Sequence, residues 1–595
     1  MTRVGADMLQ QAILAGIAHV HSRREQINSI NVFPVADGDT GTNLDFTLGA
    51  VREALAPGGT TSVGELLDTT ARAALDGARG NSGAIMAQYF QGFLEGLRGR
   101  PKLDGEALAA AAESGARSAW SAMSRPVAGT LPTVLEDFAA ELRHRVQAGV
   151  ADLRRLLRYG LHSAQRSLAG TPAQLPQLRQ AGVVDAGAQG FVDLLEGIWR
   201  YTLSGIPVES TVIPAVRTHL QAPASVAGSR FCTECMVRGS DLDLMALRAR
   251  LERSRGESLV VAGSSEAIRV HIHTDAPGDI FSVCREFGMV EQEKAEDLRG
   301  QVRLLNQSSA VVVVTDSGAD IPVELVEQHA IQVVPVRVIV GGEDHMDGVT
   351  LKVADFYRRL GELAEPPRTS QPPPADFRRL FELMVDHGHQ VVCLSIARAL
   401  SGTIQAAETA AERYEGVRVL DSHNVSAGQG LLALAAARWA GDGEDADTIE
   451  RRLAAAATAT RSYAIVDDMQ HGVRGGRLPN WVARGGELTG LRPVLATNAE
   501  GRLIPRGVLR ARRDRVAAFG RWLRRHLRGG HEYEIMISHG DCLGDAEQLR
   551  ELLAGGRHSV RWCGITETGP ALGAHAGPGV LVAGVRDVTA ANPAR

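Results

Sequence analysis

The stretch "NVFPVADGDTGTNL", residues 31–44, sets Asp37 and Asp39 one residue apart across Gly38, in a loop rich in Thr, Gly and Asn. Two carboxylates on a tight glycine turn can converge on one hard cation, and Mg²⁺ typically takes a few carboxylates with phosphate oxygens and water. Thr40, Thr42 and the Gly41 backbone offer donors to a phosphate beside such a cation. A second glycine-rich turn, "DGARGNSGA", offers N–H groups at a helix start. Further on, "VHIHTD" places His271 and His273 two residues apart, on one face of a strand, where both imidazoles reach one metal or phosphate. Each motif also has a plain reading. DGD alone is as readily a surface turn with an Asp cap, and His-x-His is as readily polar alternation toward solvent.

The elements that must position these groups fall into three textures. Residues 1 to about 200 read as helical: "TTARAALDGARGNSGAIMAQYFQGFLEGL" keeps apolar residues at three- and four-residue spacing, with few β-branched runs. From about 225 to 303 short strands alternate with turns, and "SLVVAGSSEAIRVHIHTDAPGD" reads as two strands around "GSSE". The Pro-bearing "GIPVESTVIPAVRTHLQAPAS" between them is the expected linker. After 308, buried strands at 311–315, 331–340, 390–396, 416–420, 534–538 and 579–584 alternate with helical patterns, which predicts an α/β unit divided near 440–460.

Composition limits the classes. At 595 residues the chain exceeds the common domain size of ~100–150 residues several-fold, so two to four domains are expected. With 44% apolar and 22% charged residues and a net charge of −5, it is globular, with no electrostatic case for nucleic acid. The start "MTRVGADMLQQAILAGIAHV" has no signal-peptide pattern, and no uninterrupted apolar run of membrane-spanning length occurs, so the expected location is cytoplasmic. Six cysteines with one close pair, Cys232 and Cys235, point to metal or redox chemistry rather than a disulfide scaffold.

Four ordered motifs, "NVFPVADGDTGTNL", "GARGNSGAIMAQYFQGF", "RPVAGTLPTVL" and "AGVVDAGAQGFV", resemble the nucleotide-binding L domain of dihydroxyacetone kinases, in the variant of bacterial fatty acid kinase. The resemblance implies an all-α helical barrel carrying ATP and two magnesium ions at one end. By it, Asp37 and Asp39 ligate Mg²⁺, with Asn31 at a neighbouring ligand position where those kinases carry a further acidic residue upstream. Gly80, Asn81, Ser82 and Gly83 cradle phosphates, and Thr40, Thr42, Asn43, Gly129, Thr130 and Asp185 belong to the nucleotide site. "FCTEC" and "VHIHTDAPG" match the same kinase's middle domain, a small α/β domain. They bring Cys232 beside His271 and His273, which as a Cys and His set suits Zn²⁺. Glu234 and Cys235 are alternative members of that set.

The last region, through "VVTDSGADIP", "VVPVRVIVGGEDHMDGV", "PRTSQPPPADF", "LSIARALSGTIQAA", "VLDSHNVSAGQGLL", "GGRL" and "GAHAGPG", resembles DegV proteins, the fatty-acid-binding partners of that kinase. A two-subdomain α/β fold is implied, with an acyl chain between the subdomains and its carboxylate held by donors from Thr369, Ser370, Ser401, Thr403, Arg477 and His575. The expected domains are thus a kinase domain at 1–205, linker and middle domain at 206–305, and a DegV-like domain at 308–595.

The expected activity is ATP-dependent phosphorylation of a fatty-acid carboxylate, with His271 and His273 as catalytic donors. The alternatives are a lipid carrier with a degenerate nucleotide domain and a dihydroxyacetone-type kinase. Expected partners are a long-chain fatty acid, an acyltransferase accepting the acyl phosphate, a second copy of the chain through the kinase region, and a membrane surface in peripheral contact; nucleic acid is not expected.

Overall fold

A computed structural model describes all residues except 57–61, 98–101, 206–227, 306, 308, 364, 479, 481–491, 511–513, 556–557 and 592–595. The expected linker lies almost wholly outside the described residues. Contacts divide the chain into Met1–Asn306 and Gln307–Arg595.

In the first unit, α1 (Ala6–Ser22), α2 (Arg24–Ser29), α3 (Thr40–Leu55), α4 (Val63–Gly77), α5 (Gly80–Gly96), α6 (Gly105–Ala122), α7 (Leu131–Gln147), α8 (Leu153–Gln174), α9 (Pro176–Ala181) and α10 (Ala186–Ser204) follow one another. Helices α1, α3, α4, α5, α6, α7, α8 and α10 each pack on the next, and α10 returns to α1, which closes a barrel. The apolar spacing explains why: α1 buries Ile13, Ile17 and Val20 on one stripe, and α3 buries Leu44, Leu48, Val51 and Leu55. Ends are set by caps, Ser62 accepting from the Glu65 amide before α4 and Asp185 from the Ala188 amide before α10. The all-α expectation holds apart from β1 (Arg3–Val4) and β2 (Leu103–Asp104), two short strands paired antiparallel.

The middle region adds β3 (Phe231–Arg238), β4 (Glu257–Gly263), β5 (Ala267–Thr274) and β6 (Met289–Asp297), an antiparallel sheet in the order β4-β5-β3-β6 with helices at Leu244–Leu251 and Pro277–Arg285. The "GSSE" hairpin forms as expected between β4 and β5. Every residue of β5 is buried, because α5 of the barrel packs on this sheet. The Ser124 amide bonds the Leu259 carbonyl at 3.0 Å, and the Gly263 amide bonds Gln88 Oε1 at 2.6 Å.

The second unit begins with β7 (Val311–Asp316), β8 (Gln332–Val334), β9 (Arg337–Val340), β10 (Glu343–Met346), β11 (Arg368–Ser370), β12 (Gln390–Ser395) and β13 (Val417–Asp421). A parallel sheet runs β13-β12-β7-β8, and β10-β9-β11 form a small antiparallel one. The single strand expected over 331–340 is two strands in different sheets; Pro335, with no N–H for a ladder, sits at the break. Then β14 (Thr460–Ile465), β15 (Arg492–Thr497), β16 (Leu503–Leu509), β17 (Glu532–His539), β18 (Ser559–Glu567) and β19 (Leu581–Asp587) form a six-stranded sheet ordered β16-β15-β14-β19-β17-β18. The helix Ala427–Gly441 is buried nearly all round and touches strands of both large sheets. No helix among the described residues is long and apolar enough to cross a membrane.

Candidate functional site

The DGD loop ends on α3, so Asp39 is that helix's N-cap residue and Asp37 lies just before it. Gly38 turns the loop with a φ of 68°, which a side chain would resist. Asn31 Nδ2 donates to Asp37 Oδ1 at 2.5 Å, and Thr40 Oγ1 donates to Asn31 Oδ1 at 2.8 Å, so Asn31 braces the loop. Burial, then the neighbouring Asp39 charge, pushes the Asp37 carboxyl well above the usual carboxylate range. Burial also raises Asp39, with Lys294 opposing and Glu296 adding, while Asn43 bonds its carboxylate. A buried pair that resists carrying two charges fits a divalent cation, which relieves both penalties.

At the neighbouring helix start, Gly80 holds a φ of 61°, and a Cβ there would meet Asn43 Nδ2 at 2.6 Å. A Cβ on Gly83 would meet Thr47 Oγ1 at 2.4 Å, so the glycines let α5 approach α3 closely. A cleft of about 550 Å³ opens beside them between barrel and middle domain. Asn81, Ser82, Thr130 and Asp185 line it, with Ile85, Met123, Leu131 and Ile272 supplying apolar wall. Burial raises Asp185 to about 6, against the amides it accepts from Ala188 and Leu131, so it fixes the starts of α10 and α7 at the cleft. Gly129, at a φ of 81°, donates to Thr133 Oγ1 and shapes the turn into α7. Thr42 faces elsewhere: its amide and hydroxyl bond the Asn28 side chain at 3.1 and 3.0 Å, tying α3 to α2.

On β3 and β5, Cys232, His271 and His273 are all buried, with ligand atoms within 4.8 Å of one another. Burial, then His271, pushes His273 down to about 3, so its ring is neutral at pH 7. His271 Nε2 is buried without a hydrogen-bond partner among the described residues. A neutral imidazole at His273, a thiol and an orphaned His271 ring nitrogen fit a zinc ion. Glu234 lies beside them, 2.9 Å from His271 Nδ1 and 3.0 Å from Arg269. Burial opposes its ionisation, yet Lys294, His271 and Arg269 together hold Glu234 well below its usual range. The same carboxylate accepts the Gly80 amide of the barrel at 2.7 Å. Cys235, buried on the same strand, is a free thiol hydrogen-bonded to the free thiol of Cys284 instead. By sequence Glu234 is only a substitute ligand, and Lys294 and Arg269 go unmarked because they carry no motif of their own.

In the second unit a narrow, largely apolar cavity of about 110 Å³ is lined by Thr369, Ser401, Arg477 and His575 among residues such as Leu400, Val466, Leu478 and Leu572. Thr369 Oγ1 and His575 Nε2 meet at 2.8 Å. Ser401 and Thr403 hydroxyls pair at 2.8 Å, with Thr403 fully buried behind the wall. Arg477 bonds the Leu400 and Gly475 carbonyls at 3.2 and 2.5 Å. Ser370 is exposed and does not line the cavity.

A closed helical barrel with a buried acid pair, a small domain carrying a Cys/His/His cluster and an α/β unit around an apolar cavity define a fatty-acid-kinase-like multidomain architecture. Residues 34–200 match the DAK2 domain, 228–305 the FakA-like middle domain of fatty acid kinase, and 310–586 the uncharacterised proteins of the DegV family. The chain therefore joins DAK2, fatty-acid-kinase-like middle and DegV domains in one polypeptide.

Among curated proteins it is similar to an uncharacterized protein of Staphylococcus haemolyticus, 31% identical over 321 residues, 51% of this chain and 57% of that one. An uncharacterized protein of Staphylococcus aureus strain USA300 is 31% identical over 318 residues with the same coverage. The chain thus spans little more than half the length of these relatives. Among solved structures, a fatty-acid-binding DegV family protein from Thermus thermophilus is 28% identical at a TM-score of 0.44, covering 47% of this chain and 99% of its own. DegV from Bacillus subtilis, described as a fatty acid binding protein, is 26% identical at 0.42, covering 47% and 100%.

Proposed function

We propose that the chain transfers the terminal phosphoryl group of ATP to the carboxylate of a fatty acid held in its DegV domain, giving an acyl phosphate and ADP. The observation that carries this reading is the presence, in one chain, of a cleft bordered by the Asn81–Ser82 turn and Asp185 and of an apolar cavity edged by hydroxyls, a histidine and an arginine. In this reading Asp37 and Asp39, braced by Asn31 and Asn43, hold magnesium, and Cys232, His271 and His273 hold zinc. When bound, these cations neutralise charge on the phosphates and at the reacting centre.

The protein's own groups do the positioning. Asn81, Ser82 and Thr130 orient phosphates at the start of α5 and α7, while Ile85, Met123 and Leu131 cover the base and exclude water. A carboxylate is ionised at neutral pH, so its oxygen attacks the γ-phosphorus and the bond to the β-phosphate oxygen breaks without a strong general base. Thr369, Ser401, Arg477 and His575 orient that carboxylate, and the apolar lining takes the tail. The protein acts in the cytoplasm, passing its product to an acyltransferase. Incubation of purified protein with MgATP and a long-chain fatty acid should form hydroxylamine-trappable acyl phosphate; ADP release without trapped acyl product would reject the acceptor.

A further inference from the structure

Glu234 lies on β3 of the middle domain, yet its closest tie is to the barrel. Its Oε1 accepts the Gly80 amide at 2.7 Å and is also 2.9 Å from His271 Nδ1, while Oε2 takes Arg269 at 3.0 Å and lies 3.7 Å from Lys294. The residue is 1% exposed. Gly80 is the first residue of α5, where amides lack partners within the helix and the dipole favours an anion. Oε1 already accepts from Gly80 and Oε2 from Arg269, so the carboxylate meets His271 as an acceptor and Nδ1 donates to it. That leaves Nε2, a buried atom without a hydrogen-bond partner among the described residues, facing the cluster.

We propose that Glu234 couples the nucleotide end of the barrel to the Cys232–His271–His273 centre. One carboxylate oxygen orients His271 and occupies, on the Gly80 amide, the place a nucleotide phosphate oxygen takes. The inference rests on the nucleotide reading above. A phosphate arriving at Gly80 competes with Glu234 for one N–H and repels it. A cation at the Cys/His/His centre draws the carboxylate the other way, off Gly80. Each ligand therefore makes room for the other, and the coupling is reciprocal. Glu234 is a positioning residue, since it acts through Gly80 and His271.

The test is calorimetric titration of MgATP into the full chain, stripped of zinc or loaded with one equivalent. Wild type should bind MgATP about fivefold or more tightly when loaded. Glu234→Gln should lose this difference, and its stripped form should already bind more tightly than stripped wild type. Simple attraction between zinc and phosphate would keep the difference in Glu234→Gln, and that result overturns the proposal. Equal affinities of loaded and stripped wild type overturn it as well, while leaving nucleotide binding intact. Failure to take up zinc does the same. No MgATP binding by either form overturns the nucleotide reading itself, and this inference with it. If Glu234→Gln does not fold, Glu234→Asp serves, because it keeps the charge but withdraws it from Gly80; the difference must shrink there too.

Discussion

Thr369 Oγ1 and His575 Nε2, separated by 206 residues in sequence, lie 2.8 Å apart on the wall of the apolar cavity. One comes from the edge strand β11, the other from the last turn of the helix Pro570–Ala576. Burial, then Arg477, pushes His575 down to about 4, so the imidazole is neutral at pH 7 and binds by hydrogen bonding rather than charge. Its Nδ1 is buried without a hydrogen-bond partner among the described residues.

A polar pair set in an apolar wall predicts unequal losses. Thr369→Val or His575→Ala should weaken fatty-acid binding about 10- to 100-fold, the worth of one hydrogen bond to a charged group at ~1.5–3 kcal/mol, while the tail retains the remaining affinity. Ser370→Ala, at an exposed side chain, should change nothing. Displacement of a fluorescent fatty acid measures all three; an equal loss in Ser370→Ala would place the carboxylate elsewhere.

The acid pair predicts a pH effect of definite sign. Asp37 and Asp39 both titrate above their unfolded values, so the folded state keeps protons that the unfolded chain has already released. Stability from this source is present at low pH and is lost as pH rises through the folded values. Without magnesium, the thermal midpoint of the first unit should therefore fall as pH rises above the ordinary carboxylate range, more steeply in wild type than in Asp37→Asn, and magnesium should restore it in wild type alone. Asp37→Asn should also lose phosphotransfer. Parallel melting curves in the two proteins would contradict the pairing.

The middle-domain cluster predicts where metal goes. Cys232→Ser, His271→Ala and His273→Ala should each lose most of one bound zinc by elemental analysis, while Cys235→Ser keeps it, because the Cys235 thiol hydrogen-bonds Cys284 and is not part of the cluster. Retention of zinc in all four variants would move the metal to another site.

Much of this is legible in the sequence because local chemistry and long-range structure agree. The strand alternation of "VHIHTD" puts His271 and His273 on one face, and the rings lie 5.1 Å apart. The helical spacing in residues 1–204 marks the barrel's inner stripe. What the sequence hides are partnerships across long separations. Nothing around Glu234 announces a bond to Gly80, 154 residues earlier. Lys294 sits in the charged run "EQEKAED", yet its side chain is only 6% exposed and its amine lies 3.0 Å from Glu296. Thr42 looks like a phosphate donor by type, but its hydroxyl accepts from Asn28. Strands β14, β15, β16 and β18 carry a weak pattern because they mix charged and apolar residues, as in "SVRWCGITE".

The fusion yields the last prediction. Residues 307–595 form their own compact unit, with two large sheets packed on the helix Ala427–Gly441 and separate apolar clusters, so this piece should fold alone. It should bind a fatty acid with the affinity of the full chain, because all the cavity-lining residues fall within it. Mixed with residues 1–306, it should restore acyl phosphate formation at a rate that rises with its concentration, since encounter between pieces becomes bimolecular. In the intact chain the tether holds the acceptor at an effective concentration of roughly millimolar when the geometry permits docking, so specific activity should not depend on protein concentration. A rate in the intact chain that climbs with protein concentration would instead assign transfer to pairs of chains. If the isolated piece binds lipid and the mixture stays inactive while the intact chain works, the covalent link itself is required for docking.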